Sequence, residues 1–242
     1  MDVSTTTLAE RLAALARSAA DEVRPDMVVG LGTGSTAEAL LEELGRRVAH
    51  GLRFTGIATS DRTAALAGQL GIHLRSIDEV EGLDLCIDGA DEIDPALNVV
   101  KGRGGALLWE KIVASCADRY VIVAVADKQV ARLGMRLPLP VEVVPFGWRH
   151  TARVLTGLGG EPTLRQTDGG PYKTDGGHYI LDCATGPIAE PAALAVRIKS
   201  VSGVVEHGLF IGMADRVLTV DNAGVVFTLD RPHHGRAPDD TI

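Results

Sequence analysis

Strand, glycine turn and helix follow one another within about twenty residues near the N-terminus, and the pattern recurs. Met27-Val-Val-Gly-Leu31 is a short apolar run that enters Gly30-Leu-Gly-Thr-Gly-Ser-Thr36. Behind it Ser35-Thr-Ala-Glu38 reads as a capping box, and Ala37, Leu40, Leu41, Leu44 and Val48 line one helix face. An earlier box, Thr7-x-x-Glu10, opens a helix with Leu8, Leu12, Leu15, Ala19 and Val23 at helical spacing, stopped by Pro25. Farther on, Phe54–Ala58 reads as strand and Ser60–Leu70 as helix. Ile72–Leu74 and Leu83–Ile87 read as strands, Leu107–Cys116 as helix, and Tyr120–Ala126 as a β-branched strand. Strands alternating with helices over this length predict a parallel, doubly wound α/β sheet with both faces covered.

The texture changes after Gly134. Leu137-Pro-Leu-Pro140 reads as a hinge, Val141–Val144 as a strand and Arg149–Leu158 as a helix. The turn clusters Asp168-Gly-Gly-Pro and Asp175-Gly-Gly bracket a predicted hairpin ending in Tyr179-Ile-Leu-Asp182. A helix over Ala192–Lys199 and strands near Val204 and Val217–Val220 follow. The pattern predicts a smaller α+β domain over 136–206, a larger domain over 1–135 plus about 207–230, and a mobile tail over 231–242. A chain of 242 residues accommodates one large or two small cores. Its net charge of -8 argues against sequence-independent nucleic-acid binding, which needs cations against phosphates. The longest strongly apolar run, Val121–Ala126, is too short to span a bilayer, and the acidic, polar N-terminus is not a signal peptide. A cytoplasmic protein with no membrane partner is expected. Cys86, Cys116 and Cys183 form no CxxC pair; Cys86 and Cys116 lie in apolar stretches and read as reduced core thiols. The seven histidines show no HxxxH or HExxH spacing, and His233–His234 reads as surface, so no metal site is expected.

Three constellations could carry chemistry. The loop Gly30–Thr36 offers a close backbone approach, free N–H groups at a helix N-terminus, and the hydroxyls of Thr33, Ser35 and Thr36. It suits a phosphate monoester, or it merely shapes a βα turn. Ser35 occupies the third glycine position of G-x-G-x-x-G and no G-K-[ST] is present, so neither a dinucleotide nor a nucleoside triphosphate is indicated. Asp88-Gly-Ala-Asp91 follows a strand, at the edge where open α/β sheets bind ligands. Its two carboxylates could accept hydrogen bonds from sugar hydroxyls, or could be a solvated turn; they lack the alternation of a calcium loop. Lys101-Gly-Arg-Gly-Gly105 places a cation before a glycine-rich helix start, suited to an oxyanion or phosphate. Glu110 lies two turns into the predicted helix among Leu107, Leu108, Ile112 and Val113, either as a general base or as a surface glutamate. Lys128 is a further cation at a strand's carboxyl end.

In order along the chain stand Gly32-Thr-Gly-Ser-Thr-Ala37, Asp88-Gly-Ala-Asp-Glu-Ile93, Lys101-Gly-Arg-Gly-Gly-Ala-Leu-Leu108 and Glu110-Lys-Ile112. Leu139-Pro-Val-Glu-Val-Val-Pro145 and Gly208-Leu-Phe-Ile-Gly212 follow. Together they resemble the type A ribose-5-phosphate isomerase family. The resemblance implies a Rossmann-like domain plus a smaller α+β domain, assembled as a homodimer or homotetramer. It implies interconversion of D-ribose 5-phosphate and D-ribulose 5-phosphate in the non-oxidative pentose phosphate pathway, with neither metal nor organic cofactor. By the same resemblance Glu110 is the base that moves a proton between C2 and C1 through an enediolate. Asp88 and Asp91 bind sugar hydroxyls and assist ring opening and proton exchange between O1 and O2, and Lys101 stabilises the enediolate. Thr33, Gly34, Ser35 and Thr36 form the substrate loop. Gly89, Ala90, Gly102, Arg103 and Gly104 flank the charged groups, and Lys128 is a second substrate lysine; which lysine lies nearer the phosphate is left open. Two positions depart from the pattern. No lysine precedes Lys101, so Arg11 or Arg17 would have to replace one that some members supply from the first helix, and Trp109 stands where many carry arginine. A sugar-phosphate-sensing module is a second reading, but only some 25 residues precede the first strand, too few for a helix-turn-helix domain. A sugar-phosphate deaminase or acyl-CoA transferase relative is a third, disfavoured by the set Asp88, Asp91, Lys101 and Glu110.

Overall fold

The computed structural model describes residues 6–231; the predicted tail beyond Arg231, with the pair His233–His234, lies outside them. The chain runs α1 (Leu8–Ala20), β1 (Val28–Leu31), α2 (Ser35–Ala49), β2 (Thr55–Ala58), α3 (Asp61–Gln69) and β3 (His73–Leu74). It continues with β4 (Leu85–Gly89), β5 (Glu92–Ile93), β6 (Val99–Val100), α4 (Leu107–Ser115) and β7 (Tyr120–Val125). Next come β8 (Leu139–Val143), α5 (Trp148–Thr156), β9 (Glu161–Leu164), β10 (Gln166–Thr167), β11 (Gly170–Pro171) and β12 (Tyr179–Ala184). The remainder is α6 (Pro191–Lys199), β13 (Val204–His207), β14 (Leu209–Phe210), β15 (Arg216–Val220) and β16 (Val226–Asp230).

Seven strands form one sheet in the order β16-β15-β7-β4-β1-β2-β3. Every neighbour pair is parallel except β15–β16. This is the doubly wound α/β sheet that the alternation predicts. From β1 the chain winds outward to β2 and β3, then crosses to β4 and winds the other way. The switch point lies between β1 and β4, at whose carboxyl ends open α/β sheets bind ligands. The period of two explains the covering of both faces. Leu85, Ile87, Val121, Val123, Leu218 and Val220 face one core with Leu15 and Leu41. Cys86, Ile122, Ala124 and Val217 face the other with Val113 and Phe210. The capping box at Thr7 is present, its hydroxyl accepting from Glu10 N–H.

A four-stranded antiparallel sheet, β13-β8-β12-β9, packs its own core around Leu139, Val141, Val143, Leu155, Leu181 and Ile198. A three-stranded sheet, β14-β6-β5, joins two short strands that lie between β4 and β7 in sequence to one that lies between β13 and β15.

Several local expectations are corrected. Ser35 does not cap α2: Gly34, at φ +108°, holds the N-cap position without a side-chain bond. That backbone turn makes Ser35 already helical, and Glu38 pairs instead with Arg62 at 2.6 Å. The Leu137–Pro140 hinge is absent, because Leu139 and Pro140 belong to β8. Proline is tolerated there since the β13 ladder ends at Val141 and Pro140 need donate nothing to it. The loop before it is anchored by buried Glu92, which accepts from the N–H groups of Gly134, Arg136 and Leu137 at 2.5, 2.7 and 3.0 Å. Tyr179–Ala184 is no arm of a hairpin between the two glycine turns; it pairs with β8 and β9, while Asp168 and Gly169 connect β10 to β11. Cys86 and Cys183 are buried, but Cys116 is exposed, because it caps the C-terminus of α4 at the protein surface.

Candidate active site

The glycines of the first loop let β1 and β4 approach closely. A Cβ on Gly32 would lie 2.2 Å from Asp88 Oδ1 and 2.6 Å from Asp88 Cα, so no larger residue fits. This contact seats Asp88 at the end of β4 with no exposed surface. Its Oδ1 accepts from the N–H groups of Thr33 and Gly89 at 3.1 and 2.7 Å. Its Oδ2 lies 3.0 Å from Lys101 Nζ.

Lys101 is likewise buried. Its backbone N–H donates to Gly208 at 2.9 Å, and its Nζ donates to the Gly89 carbonyl at 2.6 Å. The same ammonium lies 3.5 Å from Glu110 Oε2 and 5.7 Å from the centroid of Phe210. The helix starts at Leu107 as predicted, and Glu110, its fourth residue, therefore belongs to the first turn of α4 and not the second. It shares the inward face with Leu107, Val113 and Ala114 and is 3% exposed, which removes the surface-glutamate alternative.

Two carboxylates and one ammonium are therefore buried together. Burial pushes Glu110 up to about 8; Lys101 opposes this, while Asp88 and Asp91 add to it. Burial also raises Asp88 against the pull of Lys101. For Lys101 burial alone would lower the pKa, but Asp88 and Glu110 more than compensate and raise it above its ordinary value. Both carboxylates are thus raised by burial and drawn down by the one ammonium between them, and Glu110, which Asp88 and Asp91 push further, is raised to about 8.

Beside these groups opens a cleft of 330 Å³. It is lined by Thr33, Gly34, Ser35 and Thr36 from the first loop, and by Gly89, Ala90 and Asp91 after β4. Lys101, Gly102, Arg103, Gly104, Glu110 and Lys128 complete it. The residues singled out in the sequence thus converge on one space, with two refinements. Asp88 is not among the lining residues and reaches the cleft through Lys101. The Thr33 hydroxyl is taken by Thr59, Ser60 and Thr63 at 2.8, 2.8 and 3.1 Å, so it braces the loop while its N–H holds Asp88.

The α2 N-terminus has no side-chain cap and opens on the cleft, an arrangement suited to an anion. Lys128, on the turn after β7, lines the same cleft. Lys101 is committed to the two carboxylates, Asp88 and Glu110. Arg11 and Arg17 are not lining residues; Arg11 bonds Asn222 in the turn after β15. Trp109 lines a separate apolar groove of 410 Å³ with Ile57, Leu74, Ile77, Ile112 and Val113. Among the described residues no group of three or more His, Cys, Asp and Glu side chains could hold a metal ion.

The family model for ribose 5-phosphate isomerase A (phosphoriboisomerase A) matches residues 55–224. The chain belongs to this family. A relative from Thermomicrobium roseum named ribose-5-phosphate isomerase A is 55% identical over 212 residues, 87% of this chain and 90% of that protein. One of the same name from a Synechococcus species is 53% identical over 88% of this chain and 94% of its own length. A D-ribose-5-phosphate isomerase solved in complex with phospho-erythronic acid superposes with a TM-score of 0.91 at 34% identity, covering 93% of this chain and all of that one. The ribose 5-phosphate isomerase A of Methanocaldococcus jannaschii gives 0.87 at 38% identity, with the same coverage.

The sequence had marked Gly208-Leu-Phe-Ile-Gly212 only as part of the family pattern. Its physical role is to buttress Lys101: Gly208 accepts the Lys101 N–H, and a Cβ there would lie 2.2 Å from the Lys101 carbonyl oxygen. Phe210 packs beneath the Lys101 ammonium.

Proposed function

We propose that this isomerase interconverts D-ribose 5-phosphate and D-ribulose 5-phosphate by proton transfer at Glu110. The reading is carried by one arrangement: a buried glutamate 3.5 Å from a buried lysine, in a cleft that an uncapped helix N-terminus also lines. The substrate phosphate would bind the Ser35 and Thr36 end of α2, in the cleft that Lys128 also lines. The reacting carbons would then lie toward Glu110. Its carboxylate removes the C2 proton of the open-chain aldose and returns it to C1, while the hydroxyl proton passes from O2 to O1. Lys101 and the backbone N–H groups of the glycine loop offset the charge that develops on the enediolate oxygens. Asp91, on the cleft wall, binds sugar hydroxyls and assists ring opening, and Asp88 fixes the charge and position of Lys101.

The seven-stranded sheet would be the catalytic domain and the four-stranded sheet the smaller domain. We place the enzyme in the cytoplasm as a homodimer or homotetramer. No described helix is long and apolar enough to cross a membrane. The edge strand β16 and the residue before it expose Val225, Phe227 and Leu229 at alternate positions, an apolar stripe suited to a second subunit. The test of the chemistry is ribulose 5-phosphate formation by the purified chain. Unphosphorylated ribose should be a far poorer substrate, because binding energy at the phosphate positions the reacting end. Equal kcat/KM for the two sugars would refute the phosphate site, and no turnover of either would refute the activity.

A further inference from the structure

The segment Gly102-Arg-Gly-Gly105 is three parts glycine, with Gly102 at φ +105° and Gly105 at φ +84°. Such a loop loses the most conformational freedom on ordering, and nothing intrinsic decides which way its peptide groups face. It nevertheless has to face one way. The Arg103 N–H donates to Asp91 Oδ2 at 2.9 Å, and Lys101, Gly102, Arg103 and Gly104 all line the cleft.

The opposite side of the loop is held from the four-stranded sheet. Arg165, between β9 and β10, donates from Nη1 to the carbonyls of Gly102 and Arg103 at 2.9 and 3.0 Å. The rest of the guanidinium is fixed by a two-point fork to Asp182 on β12, from Nε at 2.9 Å and from Nη2 at 2.5 Å. Tyr172 lies beside it, with the guanidinium carbon 5.8 Å from the ring centroid. The tyrosine packs so closely on Gly105 that a Cβ there would lie 2.1 Å from its hydroxyl. The Arg165 side chain is only 16% exposed, so its four hydrogen bonds form largely out of water. A planar, forked cation can hold a carboxylate and two successive carbonyls at once, a geometry lysine does not offer.

We propose that Arg165, locked by Asp182, is a positioning residue that turns the Gly102 and Arg103 carbonyls away from the cleft and so presents the Arg103 N–H to Asp91. The inference rests on the reading of Asp91 as a sugar-binding carboxylate. Arg165 makes no contact with the cleft and acts only through the loop. Its effect on catalysis should therefore pass through Asp91, and a double-mutant cycle measures that dependence directly.

The cycle compares kcat/KM for ribose 5-phosphate in wild type, R165Q, D91N and R165Q/D91N, with thermal midpoints recorded alongside. R165Q should lower kcat/KM by about ten- to a hundredfold, the range for losing hydrogen bonds to a charged group. In the D91N background the same substitution should cost less than about twofold, since the orientation it protects no longer serves a carboxylate. D182N frees the fork without touching the loop; it should show the same dependence on Asp91 with a smaller loss, and it carries the cycle if R165Q does not fold. Equal fold-losses in both backgrounds, with a lowered thermal midpoint, would make Arg165 a purely structural clamp and overturn the inference while leaving the Asp91 assignment intact. A D91N enzyme of wild-type activity would overturn that assignment and the inference with it.

Discussion

Replacing Glu110 by Gln should make the enzyme slower and more stable at once. Glutamine keeps the shape and one acceptor oxygen toward Lys101 but takes up no proton. In the folded protein Glu110 titrates near 8 because it is buried, against an ordinary value of 4.5. A carboxyl whose folded pKa is raised favours the folded state only while it is protonated in both states, below about 4.5. As pH rises, the unfolded chain ionises first, so the folded state loses ground until the pH passes 8. The penalty is roughly 3 kcal/mol at pH 7 and about 1 kcal/mol at pH 5, from the linkage integral over that shift. Glutamine carries no such penalty. At pH 7 Glu110→Gln should therefore raise the thermal midpoint by roughly 6 to 12 °C, at about 2–4 °C per kcal/mol for a chain of this size. The gain should shrink toward pH 5.

Turnover should move the opposite way, falling by about 10²–10⁴-fold, the range supplied by a positioned general base. Binding of a non-reacting sugar phosphate should largely survive, because the phosphate and hydroxyls are held by other groups. The assay is kcat on ribose 5-phosphate together with thermal unfolding at pH 5, 7 and 8 on the same preparations. A mutant with near-normal turnover would move the base elsewhere. A mutant that loses stability at pH 7 would show that burial does not hold the Glu110 carboxyl above its ordinary pKa, and the linkage reasoning would fall with it.

The same coupled site governs the pH profile. Above pH 7, where the substrate phosphate is already dianionic, kcat/KM should keep rising with an apparent pKa near 8 as Glu110, raised by burial and by Asp88 and Asp91, loses its proton beside Lys101; a flat profile from pH 6.5 to 9 would contradict it. Gly32→Ala should cost stability by about 1–3 kcal/mol and lower kcat/KM at least tenfold, because its Cβ meets Asp88 at 2.2 Å and must spread β1 from β4. Gly68→Ala, in α3 with open space around it, is the control and should stabilise by roughly 0.5–1 kcal/mol; equal behaviour of the two variants would refute the close-approach argument.

The α/β alternation was legible because it rests on local signals: β-branched runs, glycine turns and helical spacing. The short strands β5, β6 and β14 were not, since two residues carry no period. The apparent capping box at Ser35 failed for a related reason. A Ser-x-x-Glu spacing does not report that the preceding glycine has already turned the chain into the helix at φ +108°. At the site, Glu110 left a readable trace, because it shares the helical stripe of Leu107, Val113 and Ala114, where a surface residue would not fall. Its burial beside Lys101 and Asp88 was not readable, because it follows from strand order: β4 is a neighbour of β1, and only that adjacency lets Gly32 press Asp88 under the lysine.

Arg165 marks where reading along the chain stops. Its partners are two main-chain carbonyls far away in sequence, and a carbonyl has no residue type. Charged side chains announce the chemistry of a site, but the groups that orient a glycine-rich loop are drawn from whichever element packs behind it. Here that element is the sheet that holds none of the proposed acids or bases. The smaller sheet thus has a physical reason to be attached to the seven-stranded one: the loop that carries Lys101 supplies little rigidity of its own, and a neighbour with its own core can supply the rest.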